Sequence, residues 1–165
     1  DTLSEEKNEV VHKLLRCMND IGQQIFFASG AHEYEAEVGG VIDCNNKKRF
    51  LNDAEETVRL LIKYPLPSLI HHLVEMLEFL IEGDPKRVFL LIGEVIEESR
   101  KGLYHYESMG ADIAVRVIER YLAEYRHILR EPDCERVLIH TLDTFVEAGW
   151  TQARKLTYRL EEIYR

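Results

Sequence analysis

Arg87-Val88-Phe89-Leu90-Leu91-Ile92 and Arg136-Val137-Leu138-Ile139-His140-Thr141 are two versions of one run, spaced in the forties. A proline stands a short way ahead of each, in Asp84-Pro85 and Glu131-Pro132. Each run leads to a glycine-containing break and then to a second stretch with apolar residues at helical spacing. A recurrence of this period built from helix pairs limits the fold sharply. One pair cannot bury its own apolar stripe, so successive pairs must stack and share a core.

Composition agrees with an all-α chain. The 165 residues are 45% hydrophobic and 31% charged, enough for one domain with a core and too apolar for disorder. Only four prolines and nine glycines occur, mostly between the periodic segments, and alternating runs of the kind strands need are almost absent. The longest apolar run, Val88 to Ile92, is far short of the ~18 residues that span a bilayer, and no secretory segment is present, so no membrane partner is expected. A net charge of −9 argues against broad binding to nucleic acid. Cys17, Cys44 and Cys134 are dispersed, with no CxxC pair, so neither a disulfide framework nor a zinc knuckle is suggested. Free thiols fit a cytoplasmic protein. The first residue is Asp1, which suggests a piece of a larger protein.

Capping boxes at Thr2/Glu5 and Asp53/Glu56 predict the first two helix starts. The first helix is expected to reach Ser29, with Val10, Val11, Leu14, Cys17 or Met18, Ile21, Ile25 and Phe26 inward. Residues 30–52, with Gly39-Gly40 and Asn45-Asn46, are expected to be largely irregular. Ser68 is read as the cap of a third helix carrying Leu69, Leu73, Val74, Leu77 and Leu80, and Asp84 as the cap of a fourth. A fifth helix is expected over about 111–130, a sixth over 133–148 ending at Gly149, and a seventh from Thr151.

Paired as 53–64 with 68–82, 85–101 with 111–130 and 133–148 with 151–164, these segments resemble the HEAT/armadillo class of helical repeats over residues 53–164. The resemblance implies a short right-handed α-solenoid of antiparallel helix pairs in a single domain. An irregular helical bundle burying the same stripes is the alternative. It also implies a non-catalytic interaction module or scaffold that binds a protein partner or a neighbouring domain.

Candidate site residues follow from the polar sides of the second helices. Arg and Tyr combine contact area with directed hydrogen bonds, and His72, Arg116, Arg120, His127, Arg154 and Tyr158 are the residues expected to meet a partner. Lys47-Lys48-Arg49 forms a compact basic cluster suited to an anion. Two Glu-x-x-His pairs, Glu9/His12 and Glu124/His127, have the spacing that carboxylate-bridged metal bundles use. They are the basis of an alternative reading as a metal-binding protein or helical-bundle enzyme, which requires the four side chains to converge. No cofactor is otherwise implied. Cys17 and Cys134 fall near apolar stripes and read as small core residues, and no sequence motif for nucleophilic catalysis is present.

Overall fold

Proline and short acidic caps set most of the helix starts in the computed structural model, which describes residues 2–33, 43–64, 66–101, 110–149 and 155–156. In chain order the elements are α1 (Thr2–Ser29), a single 3-10 turn (Ala31–Glu33), α2 (Cys44–Ile62), α3 (Pro67–Leu80), α4 (Pro85–Lys101), α5 (Gly110–Glu124), α6 (Arg126–Leu129) and α7 (Pro132–Glu147). Lys155 and Leu156 are also helical. Among the described residues there is no strand, and the fold is all-α.

Helices α3, α4 and α7 each begin at a proline, where the missing N–H is one the helix does not use. The Asp84 carboxylate accepts the backbone N–H of Arg87 at 3.1 Å, as a capping residue should. Gly149 adopts φ +77°, the left-handed geometry that ends α7.

Three boundaries differ from the sequence expectation. Helix α2 starts at Cys44, well before Asp53. Asp43 caps it by accepting the backbone N–H groups of Asn45 and Asn46, so two residues that read as turn formers sit in a helical first turn. Helix α3 starts at Pro67 rather than after a Ser68 cap, and the Ser68 hydroxyl instead bonds Asn19 Oδ1 on α1 at 2.9 Å. The expected helix over 111–130 breaks at Tyr125. The Arg126 guanidinium donates from Nε to the Leu122 carbonyl at 2.6 Å, taking the acceptor that a continuous helix would offer to the Arg126 backbone N–H.

The helices meet in two rows. One runs α1–α3–α5 and the other α2–α4–α7, and α3 also packs on α2 and α4. The core lies between the rows. It takes Leu51, Val58, Leu61 and Ile62 from α2, and Leu69, Leu73, Leu77 and Leu80 from α3. Phe89, Leu91, Ile92 and Ile96 come from α4, and Leu138, Leu142 and Phe145 from α7. The two related runs are buried in phase. Phe89 and Leu138, Ile92 and Thr141, Val95 and Thr144, and Ile96 and Phe145 are all buried, and Leu90 and Ile139 both lie further out. Two glycines let helices approach closely. A Cβ on Gly93 would lie 2.3 Å from Val137 Cγ1, and one on Gly22 would lie 1.8 Å from Leu69 Cδ1.

Helix α1 overturns its expected core stripe. Phe26 is buried and Met18 and Ile25 are partly buried, but Val10, Val11, Leu14 and Ile21 are 56%, 51%, 58% and 40% exposed. Cys17, read as a core residue, is exposed too, and every residue from 7 to 17 lies in solvent. Length explains this. The 28 residues of α1 span about 42 Å at 1.5 Å per residue, while the 14 of its neighbour α3 span about 21 Å.

Ion pairs tie the rows along their length. Arg116 grips Glu78 from α5 to α3 through both Nε, at 2.7 Å, and Nη2, at 2.5 Å. Arg120 bonds Glu82, which also takes Lys47 at 2.7 Å, and Lys47 lies over the Phe79 ring at 4.0 Å. These three charges are largely withdrawn from water. Burial works to raise the Glu82 carboxyl pKa, but hydrogen bonds from Lys47 and Arg120 outweigh it and hold the group below its ordinary value. The Tyr121 hydroxyl donates to the Pro85 carbonyl at 2.7 Å, and its burial beside Tyr125 pushes its pKa up.

Candidate functional site

Helix α4 forms the floor of an open groove of about 710 Å³, with α2 along one side and α7 along the other. Ile62, Leu90, Gly93 and Val137 make its apolar part. The fourth position of each related run, Leu90 or Ile139, carries an apolar side chain on the outward part of its helix, and Leu90 reaches the groove.

Charged side chains line the rest. Arg59 from α2 bonds Glu94 on α4 and also holds Glu55 through Nε at 3.0 Å. The Glu94 hydrogen bond raises the Arg59 pKa, burial opposes it, and Glu55 adds to the rise. His140 Nε2 from α7 meets Glu97 of α4. Two carboxylates of the groove are thus engaged by a groove cation or imidazole. Lys63 at the α2 side and Arg136 at the α7 side are exposed and have no ion-pair partner among the described residues. Asp133 stands in the first turn of α7, where a negative charge suits the helix N-terminus.

This arrangement differs from the surface read in the sequence. Arg116 and Arg120 are exposed and half-buried respectively, and both hold α5 to α3 through the ion pairs above. His72 stacks on Phe26 with ring centroids 4.9 Å apart, and its Nδ1 is buried without a hydrogen-bond partner. His127 is exposed on the single turn of α6. Arg154 and Tyr158 lie outside the described residues. The placed residues therefore sit on different features, and none of them lines the α2–α4–α7 groove.

The basic cluster is likewise divided. Lys47 is buried against Glu82 and Phe79, whereas Lys48 and Arg49 face solvent and Arg49 reaches Asp53 at 3.9 Å. Successive helical residues point about 100° apart, so a run of three cannot share one face.

The two Glu-x-x-His pairs do not converge. Glu9 and His12 ride on the exposed half of α1, and the break at Tyr125 separates Glu124 from His127. Among the described residues no three His, Cys, Asp or Glu side chains are placed to hold a metal ion. Cys134 is buried, and burial pushes its thiol pKa up, away from the thiolate a nucleophile needs.

The sequence reasoning missed Lys63 and Arg136 because it sought the site on the second helix of each pair. Nothing local in the sequence sets either apart from an ordinary surface cation. Comparison with family models, with curated proteins and with solved structures finds no match. Among the described residues no helix is long and apolar enough to cross a membrane.

Proposed function

We propose that this chain is a non-catalytic helical-repeat interaction module that docks a protein partner or a neighbouring domain. In this reading the two rows of helices are the layers of a short α-solenoid. The rows meet in serial order, α1–α3–α5 and α2–α4–α7, as stacked pairs would, and the related runs on α4 and α7 are buried in phase.

The groove over α4 carries the proposal. A volume of about 710 Å³ with an apolar floor and charged sides is large enough for several side chains of a docked segment. Helical repeats present such surfaces because each pair adds the same face to its neighbour. Peptide selection from a displayed random library on the full chain tests the reading. Selected peptides should lose at least tenfold in affinity against Leu90→Glu, which puts a charge on the floor while leaving the fully buried core untouched. Peptides that bind the variant and the parent equally would place docking elsewhere.

A further inference from the structure

We infer that the occupant of the α2–α4–α7 groove is an acidic amphipathic segment, with apolar side chains on the floor and carboxylates on Lys63 and Arg136. The inference rests on the docking reading above and adds the chemistry of the partner.

The charge inventory of the groove leads to it. Glu94 is engaged by Arg59, Glu97 is engaged by His140, and Glu98 also has an interaction. The cations Lys63 and Arg136 are exposed at opposite sides and have no ion-pair partner among the described residues. Asp133 is the one groove carboxylate in the same condition, and the N-terminal end of α7 already favours its charge. The lining as a whole holds four carboxylates against three cations, but of its charges without an ion-pair partner among the described residues two are cations and one is a carboxylate, and the two cations stand at its edges. Between the two cations lie Ile62, Leu90, Gly93 and Val137. A segment complementary to that sequence of surfaces is apolar along its middle and acidic along both edges.

Nucleic acid is the less suitable anion. Phosphate-backbone binding needs clustered Lys and Arg, and two separated cations flanking an apolar strip on a strongly acidic chain do not supply it. Exposed cations at the rim of a site steer and orient more than they bind. The apolar floor therefore provides affinity and the cations provide selectivity.

The test uses three synthetic helical peptides of about 16 residues on the full chain, read by fluorescence anisotropy at low and physiological salt. All share one leucine stripe, and their flanking positions are all Glu, all Gln or all Lys. The Glu peptide should bind about tenfold more tightly than the Gln peptide, and the preference should shrink as salt rises. The double variant Lys63→Glu with Arg136→Glu should reverse the order in favour of the Lys peptide, and far-ultraviolet circular dichroism should be unchanged, because both side chains are exposed.

Equal or tighter binding of the Gln or Lys peptide to the parent chain, with loss in Leu90→Glu, overturns the acidic partner and leaves the groove as a docking site. Binding of the Glu peptide that is indifferent to Leu90→Glu, or no binding by any of the three, overturns the inference. If library peptides are indifferent to Leu90→Glu as well, the docking reading falls with it. Tighter binding of a single-stranded oligonucleotide than of the Glu peptide also overturns it.

Discussion

Leu91 on α4 and Leu14 on α1 occupy similar places in two amphipathic helices, yet Leu91 is fully buried and Leu14 is 58% exposed. Around Leu91 the apolar positions of α4 meet α3 on one side and α7 on another. Leu14 is largely open to solvent, although Val10, Val11 and Leu15 continue the stripe that Met18 and Phe26 bury further along. Burial is thus decided by what lies opposite a stripe. An amphipathic run promises a helix with one greasy side, and a neighbour of sufficient length must be present to cover it.

This contrast can be broken or sharpened by experiment. The largest effect should come from the core of α4. Phe89→Ala removes a ring that packs on Tyr121 with centroids 4.8 Å apart and should cost about 3–5 kcal/mol in denaturant unfolding. A loss below about 1 kcal/mol would mean that α4 is not the centre of the packing.

Next comes the buried charge that joins α2, α3 and α5. Glu82→Gln leaves Lys47 and Arg120 without their carboxylate and should cost about 2 kcal/mol at neutral pH. The same carboxyl gives a pH dependence of known sign. Its folded-state pKa lies below the unfolded value of 4.5, so its contribution is fully present above about pH 4.5 and is lost as pH falls through the lowered value. Parent and Glu82→Gln stabilities should therefore converge in acid. A gap that stays constant down to pH 3 would remove this carboxylate as the cause.

A smaller effect is expected where α4 meets α7. Gly93→Ala forces its new methyl group against Val137, so one helix must move, at a cost of about 1–2 kcal/mol. The companion change Val137→Ala should recover part of that loss. If the double variant is no better than the single one, the contact at Gly93 is not what spaces the two helices.

The smallest effect belongs to the other half of the comparison. Leu14→Ala should change stability by less than about 0.5 kcal/mol, because an exposed side chain gains little from folding. Amide hydrogen exchange should match it, with residues 7–17 exchanging much faster than residues 88–96, since an exposed helical segment with little packing is marginal in water. A loss above about 2 kcal/mol at Leu14 would show that this stripe is covered in solution.

Much of the fold was legible before any coordinates. The prolines at 85 and 132 mark two helix starts, and the stripe of α3 is buried as its spacing predicts. The site was less so. Arg116 and Arg120 read as a free polar face, and nothing local in the sequence says that Glu78 and Glu82 lie opposite them on another helix. Lys63 and Arg136 look like ordinary surface cations until α2 and α7 are set on either side of α4.

The division has a physical basis. Helical periodicity, proline and caps act over one or two turns, so the chain alone determined that it is all-α, where most helices begin and which side of each is apolar. Long-range contact decided the rest, because it depends on which helices lie side by side and how far each extends. That contact left half of α1 in solvent, consumed Lys47, Arg116 and Arg120 in ion pairs, and opened a groove over α4 between two cations far apart in sequence.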